Sequence, residues 1–221
     1  MRECILIFSL SFFFIFKAQA YINFSTLEWH KGAIVLSSHD VVTGEVSYDP
    51  TYDVVLQRSE GRVQTFTAAQ VNYFHIINKQ TGQLRRFVAL PHQSGLNFLY
   101  KRNYFFEVLL SGEVTFLRKS SKNKSFLQHV QRSKLSKLNL DNLCYDYFML
   151  HDENLISIKN FEEDALPLLT HEDSKGIHDY IEARSIRKFT PHNQLVVIHF
   201  YNSMHKASGA PHLVQRMELS K

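Results

Sequence analysis

Cysteine is nearly absent from this 221-residue chain, which has only Cys4 and Cys144. Cys4 precedes an apolar run instead of following it, so it is not placed for lipidation. A body left with one thiol cannot be stapled by an internal disulfide, and its stability must come from burial and sheet pairing. Cys144 stands in the largely apolar stretch "NLCYDYFML" and reads as a buried, inert thiol, not a nucleophile. Long apolar runs are scarce as well. The one that stands out, Ile5–Phe16, has twelve residues, short of the roughly 20 a membrane-crossing helix needs. Signatures of catalysis are missing: there is no Gly-x-Ser-x-Gly elbow, no His-Glu-x-x-His pair and no Gly-rich phosphate loop after a strand. No catalytic residue is expected, and a hydrolase of unrecognised type is the only enzymatic reading left.

The apolar run follows Arg2 and is followed by Ala18-Gln19-Ala20, the small-x-small pattern a signal peptidase cuts. Residues 1–20 read as an export signal, with no transmembrane span after its removal. The roughly 200 remaining residues suffice for a real core. Within Trp29–Pro50, Val42, Gly44, Val46 and Tyr48 alternate with Thr43, Glu45 and Ser47, the two-residue period of a half-buried strand. Hairpins follow with turns at Ser59-Glu60-Gly61, Lys79–Gly82 and Ser111-Gly112, since glycine supplies the positive φ of tight turns. We expect five or six strands in an antiparallel meander, a curled sheet or half-barrel over 29–118, with Gly32 and Gly44 at bends or close backbone approaches.

Residues 119–137 read as a basic linker or long hairpin loop, 138–205 as an α+β C-terminal portion and 206–221 as a loose tail. The C-terminal portion opens with a hairpin turning at His151–Asn154. A helix then starts at Asn160, a candidate N-cap with three acids in the first turn, and Pro167 ends or kinks it. A second helix is expected over Lys175–Lys188, capped by Ser174. Thr190-Pro191 marks a third start, a cap followed by proline where its missing N–H costs nothing, so "QLVVIHFYN" is read as helix despite its β-branched run. The fold class is therefore α+β, with two or three helices behind the meander.

Twelve histidines invite a metal reading. His171, Glu172, Asp173, His178 and Asp179 are close in sequence, but Gly176 and Ser174 argue against one helix running through them. His192 and His199 fall on about one face of the last helix. Neither spacing is a zinc-ligand motif, so solvated helix charges and partly buried imidazoles are expected, with no metal and no cofactor.

Charge is divided along the chain. Arg118–Lys137 holds seven Lys/Arg and no Asp/Glu, whereas His151–Glu182 holds nine Asp/Glu against Lys159 and Lys175. Arg118, Lys119, Lys122, Lys124, Arg132, Lys134 and Lys137 are the candidate anion-binding residues, for an anionic glycan or lipid headgroup. The plain alternatives are a solvated loop, or a segment docked on the acidic window. Nucleic acid is not an expected partner of an exported chain.

Gly32-Ala33-Ile34-Val35-Leu36, Gly44-Glu45-Val46-Ser47-Tyr48 and Val71-Asn72-Tyr73-Phe74, with "RRFVAL", "FFEVLLSGEVTFLRK" and the later "FYN", resemble a family of exported β-rich proteins of unknown function. That family is widespread in Bacteroidetes-type Gram-negative bacteria. The likeness covers most of 29–118 and, more weakly, 145–202. It departs at the first turn, where family members often carry glycine and this chain has Ser37-Ser38-His39-Asp40. The resemblance implies export and a β-rich body, and brings no catalytic residue. The reading is thus an exported, non-catalytic envelope or secreted interaction module, periplasmic, outer-membrane-associated or secreted, with an envelope protein or an anionic glycan or lipid surface as its partner.

Overall fold

In the first hairpin, β1 (His30–Leu36) and β2 (Val41–Asp49) meet with Gly32 opposite Gly44. A Cβ on Gly32 would run into the carbonyl oxygen of His75, and Gly44 sits at φ +145° against the Gln57 side chain, so both glycines mark close approaches as expected. The turn between the strands puts His39 at φ 72°, the left-handed position where glycine is usual, and a Ser38–Asp40 hydrogen bond of 2.8 Å closes it.

The structure is a computed structural model that describes residues 27–93, 101–121, 145–171 and 174–205. The proposed signal, Cys144 and the tail from 206 lie outside those residues. β3 (Val54–Ser59) and β4 (Arg62–Thr67) join through Glu60-Gly61, both at positive φ, as a two-residue hairpin requires. β5 (Val71–Ile77) and β6 (Leu84–His92) turn at Asn78–Gln83, where Asn78 Oδ1 accepts the Gln80 and Thr81 N–H groups. β7 (Arg102–Leu110) pairs β8 (Thr115–Ser120), and β9 (Tyr145–His151) pairs β10 (Asn154–Ser157). The described residues of 29–118 therefore contribute eight strands, not five or six, because each of their four hairpins supplies two full strands, the poorly alternating β4 included.

Among the described residues, ten strands form one antiparallel sheet in the order β10-β9-β8-β7-β6-β5-β1-β2-β3-β4. β4 and β10 are its edges and do not meet, so it is not closed into a barrel. It is nevertheless curled. Only residues 68–70 connect β4 to β5, a reach of at most ~15 Å along the Cα trace, whereas four strand spacings in a flat sheet would need ~19 Å. Both Asp53 carboxylate oxygens also lie 3.4 Å from the Phe105 amide, five strands across the sheet.

Strand alternation divides the core between two faces. The concave face buries Ile34, Val46, Val55, Phe74 and Phe105 inside the curl, while Val88, Phe106, Leu117 and Phe148 pack on the opposite face. Further along, Phe116 and Met149 carry the helices α1 (Phe161–Asp164), α2 (Leu166–Thr170), α3 (Ser174–Ala183) and α4 (Pro191–Met204), through Leu169, Ile177, Val197 and Tyr201.

The helices refine three expectations. Asn160 makes no side-chain cap, and instead its carbonyl accepts the Glu163 and Asp164 N–H groups. The break attributed to Pro167 falls two residues before it, at Ala165 (φ −115°), because proline lacks the N–H that would reach the Glu163 carbonyl one turn back and its ring crowds that carbonyl, which splits the expected helix into α1 and α2. α3 ends at Ala183 and not at Lys188. Ser185 (φ 51°) takes the left-handed cap position, with its N–H on the Glu182 carbonyl and the Ile186 N–H on the Ile181 carbonyl, a Schellman motif built without glycine. α4 starts as expected, with the Thr190 hydroxyl accepting the Asn193 N–H at 3.4 Å.

Candidate functional site

Glu107 is the acidic residue the strand pattern does not call for. It sits in the apolar run "YFFEVLL" of β7, is 6% exposed, and faces the concave side one position beyond Phe105 in the alternation. Register brings it two partners. Arg118 of β8 stands directly opposite, and Arg85 of β6 shares the face through the Phe87–Glu107 pair. Arg85 donates from Nε at 2.7 Å and Nη2 at 3.0 Å, one bond to each carboxylate oxygen, and Arg118 donates from Nε at 2.8 Å. Burial alone would raise the Glu107 carboxyl, but the hydrogen bonds from Arg85 and Arg118 outweigh it and hold the group below its usual range. Both guanidiniums lie over rings, Arg118 4.2 Å from the Tyr145 centroid and Arg85 5.1 Å from that of Phe87.

These three residues line a cavity of about 290 Å³ on the concave face, together with His30, Ser47 and Tyr48. Its floor is aromatic. Tyr48 leans on Phe87 at 5.1 Å and edge-on to Phe105 at 5.8 Å, and Phe87 is backed by Phe74, which stacks on it at 4.5 Å from beneath the lining. The Tyr48 hydroxyl donates to Asp53 at 2.8 Å. Burial, then the Asp53 charge, raises the Tyr48 hydroxyl far above its usual value, and burial raises the Asp53 carboxyl against the bonds it accepts from Tyr48 and Phe105. This pair ties the β2–β3 turn over β7 and closes one end of the curl. His30 is 8% exposed; its Nδ1 is buried without a hydrogen-bond partner among the described residues, and its Nε2 lies 3.7 Å from the Glu28 carboxylate.

The basic run expected as one anion-binding surface is distributed differently. Arg118 ends the expected β-rich body, and Lys119, read as the start of a linker, continues the same strand β8; the two alternate across the sheet, Arg118 facing the cavity while Lys119 lies 4.4 Å from the Tyr104 ring centroid. The acid that Arg118 meets is Glu107, a member of neither charged window. Lys122, Lys124, Arg132, Lys134 and Lys137 lie outside the described residues, as do Glu172 and Asp173. His178, His192 and His199 are exposed. The one His–carboxylate group of metal-binding dimensions among the described residues joins Glu113 with His151 and Asp152, potential ligand atoms all within 4.8 Å of one another. It unites two turns that are far apart in sequence, and no spacing rule could have found it.

A second hollow, of about 480 Å³, lies between β9 and the start of α4. There the Gln194 amide nitrogen donates to the Ile158 and Phe189 carbonyls at 3.2 and 3.0 Å, leaving Oε1 buried without a partner among the described residues. Among the described residues no helix is long and apolar enough to cross a membrane. Compared with protein-family models, curated proteins and solved structures, the chain has no match.

Proposed function

We propose that the protein is an exported, non-catalytic binding module that holds a small anionic group between Arg85 and Arg118. The observation that carries this reading is a charge imbalance in a concave site, where two guanidiniums share one buried carboxylate. Glu107 occupies Nε and Nη2 of Arg85 and Nε of Arg118. Among the described residues, Arg85 Nη1 and both terminal nitrogens of Arg118 keep donors for a ligand, in the planar geometry that suits carboxylate or phosphate. Partial exclusion of water strengthens such contacts relative to an exposed lysine. Export, to the periplasm, the outer membrane or the medium, rests on Ile5–Phe16 with Ala18-Gln19-Ala20, and on the resemblance to exported β-rich proteins. Arg118 is where this reading meets the anion-binding alternative drawn from the basic segment.

Titration of the purified protein with inorganic phosphate and with acetate, followed by calorimetry at low salt, tests the proposal. Saturable binding that weakens in Arg118→Gln and in Arg85→Gln is expected. Binding to neither anion, or binding that both substitutions leave unchanged, overturns it.

A further inference from the structure

We infer that the anion held in this cradle is the carboxylate of an acidic sugar, with His30 pairing one of the sugar's hydroxyl groups. The inference rests on the anion-binding reading above and deepens it. His30 Nδ1 is a buried polar atom with no partner among the described residues, in a residue 8% exposed that lines the same cavity as Arg85 and Arg118. Buried polar atoms are rarely left unpaired, because the lost hydration costs about 1–3 kcal/mol. A partner therefore belongs at that nitrogen when the site is in use.

The chemistry of the partner follows from what surrounds it. A second carboxylate is disfavoured there, since the Glu28 carboxylate already lies 3.7 Å from the other ring nitrogen. A hydroxyl both donates and accepts, so it satisfies Nδ1 in either tautomer of the neutral ring. The volume points the same way. At roughly 30 Å³ per liquid water molecule, a cavity of about 290 Å³ is several times larger than a lone carboxylate requires and has room for a ring. Of the aromatic floor, Tyr48 lines the cavity and is partly exposed, so it is the ring that the apolar C–H face of a pyranose can meet, with the buried Phe87 and Phe105 packed behind it. Carboxylate, hydroxyl and an apolar ring face together describe a uronic acid, free or as a residue of an acidic glycan.

The test is calorimetric titration of the purified protein with glucuronate, acetate and glucose. Glucuronate should bind at least about tenfold more tightly than acetate, a difference of about 1.4 kcal/mol, and glucose should not bind measurably. His30→Phe should bring glucuronate down to the affinity of acetate, with its melting curve reporting whether the variant is folded. Equal affinity for the two acids in the wild type overturns the sugar inference and leaves the anion-binding reading standing. Binding to neither acid removes both. A glucuronate preference that survives in folded His30→Phe overturns the role of His30, and if that variant does not fold, the wild-type comparison decides alone.

Discussion

Asn202 and Val114, 88 residues apart, pair as two strand residues would: the Asn202 Nδ2 donates to the Val114 carbonyl at 2.7 Å and its Oδ1 accepts the Val114 N–H at 2.9 Å. The side-chain amide thereby locks α4 onto the β7–β8 turn, and both residues are buried. Gly112 makes the lock possible, because a Cβ there would collide with the Asn202 amide.

Removing this amide strands a buried donor and a buried acceptor, each costing about 1–3 kcal/mol. Asn202→Ala should therefore lower unfolding stability in urea by about 2–4 kcal/mol. Gly112→Ala should be destabilising through the collision alone. A loss well under 1 kcal/mol in Asn202→Ala would mean that water replaces the amide and that α4 is held by its apolar contacts.

His92 offers a pH-dependent measurement on the opposite face of the sheet. Its ring lies against Phe148, Phe106 and Tyr104 at 5.0, 5.9 and 6.0 Å. Burial, reinforced by the Lys119 charge and opposed by Asp146, holds the imidazole below its usual 6.5. The folded state thus prefers the neutral ring, and the unfolded chain takes up the proton first as pH falls. The stabilisation is present above pH 6.5 and is lost as pH drops below it toward the folded value. Urea midpoints measured from pH 7.5 to 5 should decline with a component, at most about 1.4 kcal/mol per pH unit, that disappears in His92→Gln. Parallel pH profiles for the two proteins would reject it.

Much of the sheet was legible because its turns announce themselves: Gly61 and Gly82 stand at positive φ where the sequence places turns. The Thr190-Pro191 start of α4 was legible for a similar local reason. What escaped reading depends on pairing at long range or on residues that imitate glycine. Ser185 closes α3 from a left-handed conformation that serine rarely adopts, so the expected helix ran five residues too far. The curl arises because β1 pairs with β5 as well as β2, and no local period encodes that choice. The cradle was hidden for the same reason. Arg85, Glu107 and Arg118 are ordinary charges in three separate strands until register places them on one face. Glu107 alone carried a signal, a lone acid in the apolar phase of a strand.

Metal content can be checked directly. With no ligand motif in the sequence, we expect no stoichiometric metal in the purified protein and no change in melting temperature with a chelator. About one zinc per chain by elemental analysis would sink that expectation, and Glu113→Gln and His151→Gln would then show whether the two turns hold it.

Processing is equally direct to test. Cleavage after Ala20, motivated by the Ala-x-Ala pattern that follows the apolar run, should give protein from the native envelope an intact mass that starts at Tyr21. Retention of Met1 would count against export.

Glu107 couples stability to binding with opposite signs, which makes it the most informative position. Its folded carboxyl is held below the usual value, so the stabilisation it brings is present above the unfolded value near 4.5 and is lost as pH falls below it through the folded value. Glu107→Gln removes that acid-side dependence. It also deprives two partly buried guanidiniums of their counter-charge, which should cost about 2–3 kcal/mol, below the usual range for fully buried pairs because Arg85 and Arg118 remain 33% and 24% exposed to water. The same change takes the three-residue cradle from one net positive charge to two and frees donors for an incoming anion. Phosphate and glucuronate should therefore bind severalfold more tightly to a protein that is less stable. A residue that served packing alone would lower stability without improving binding, and a fall in both quantities would return Arg85–Glu107–Arg118 to the role of a structural clasp between β6, β7 and β8.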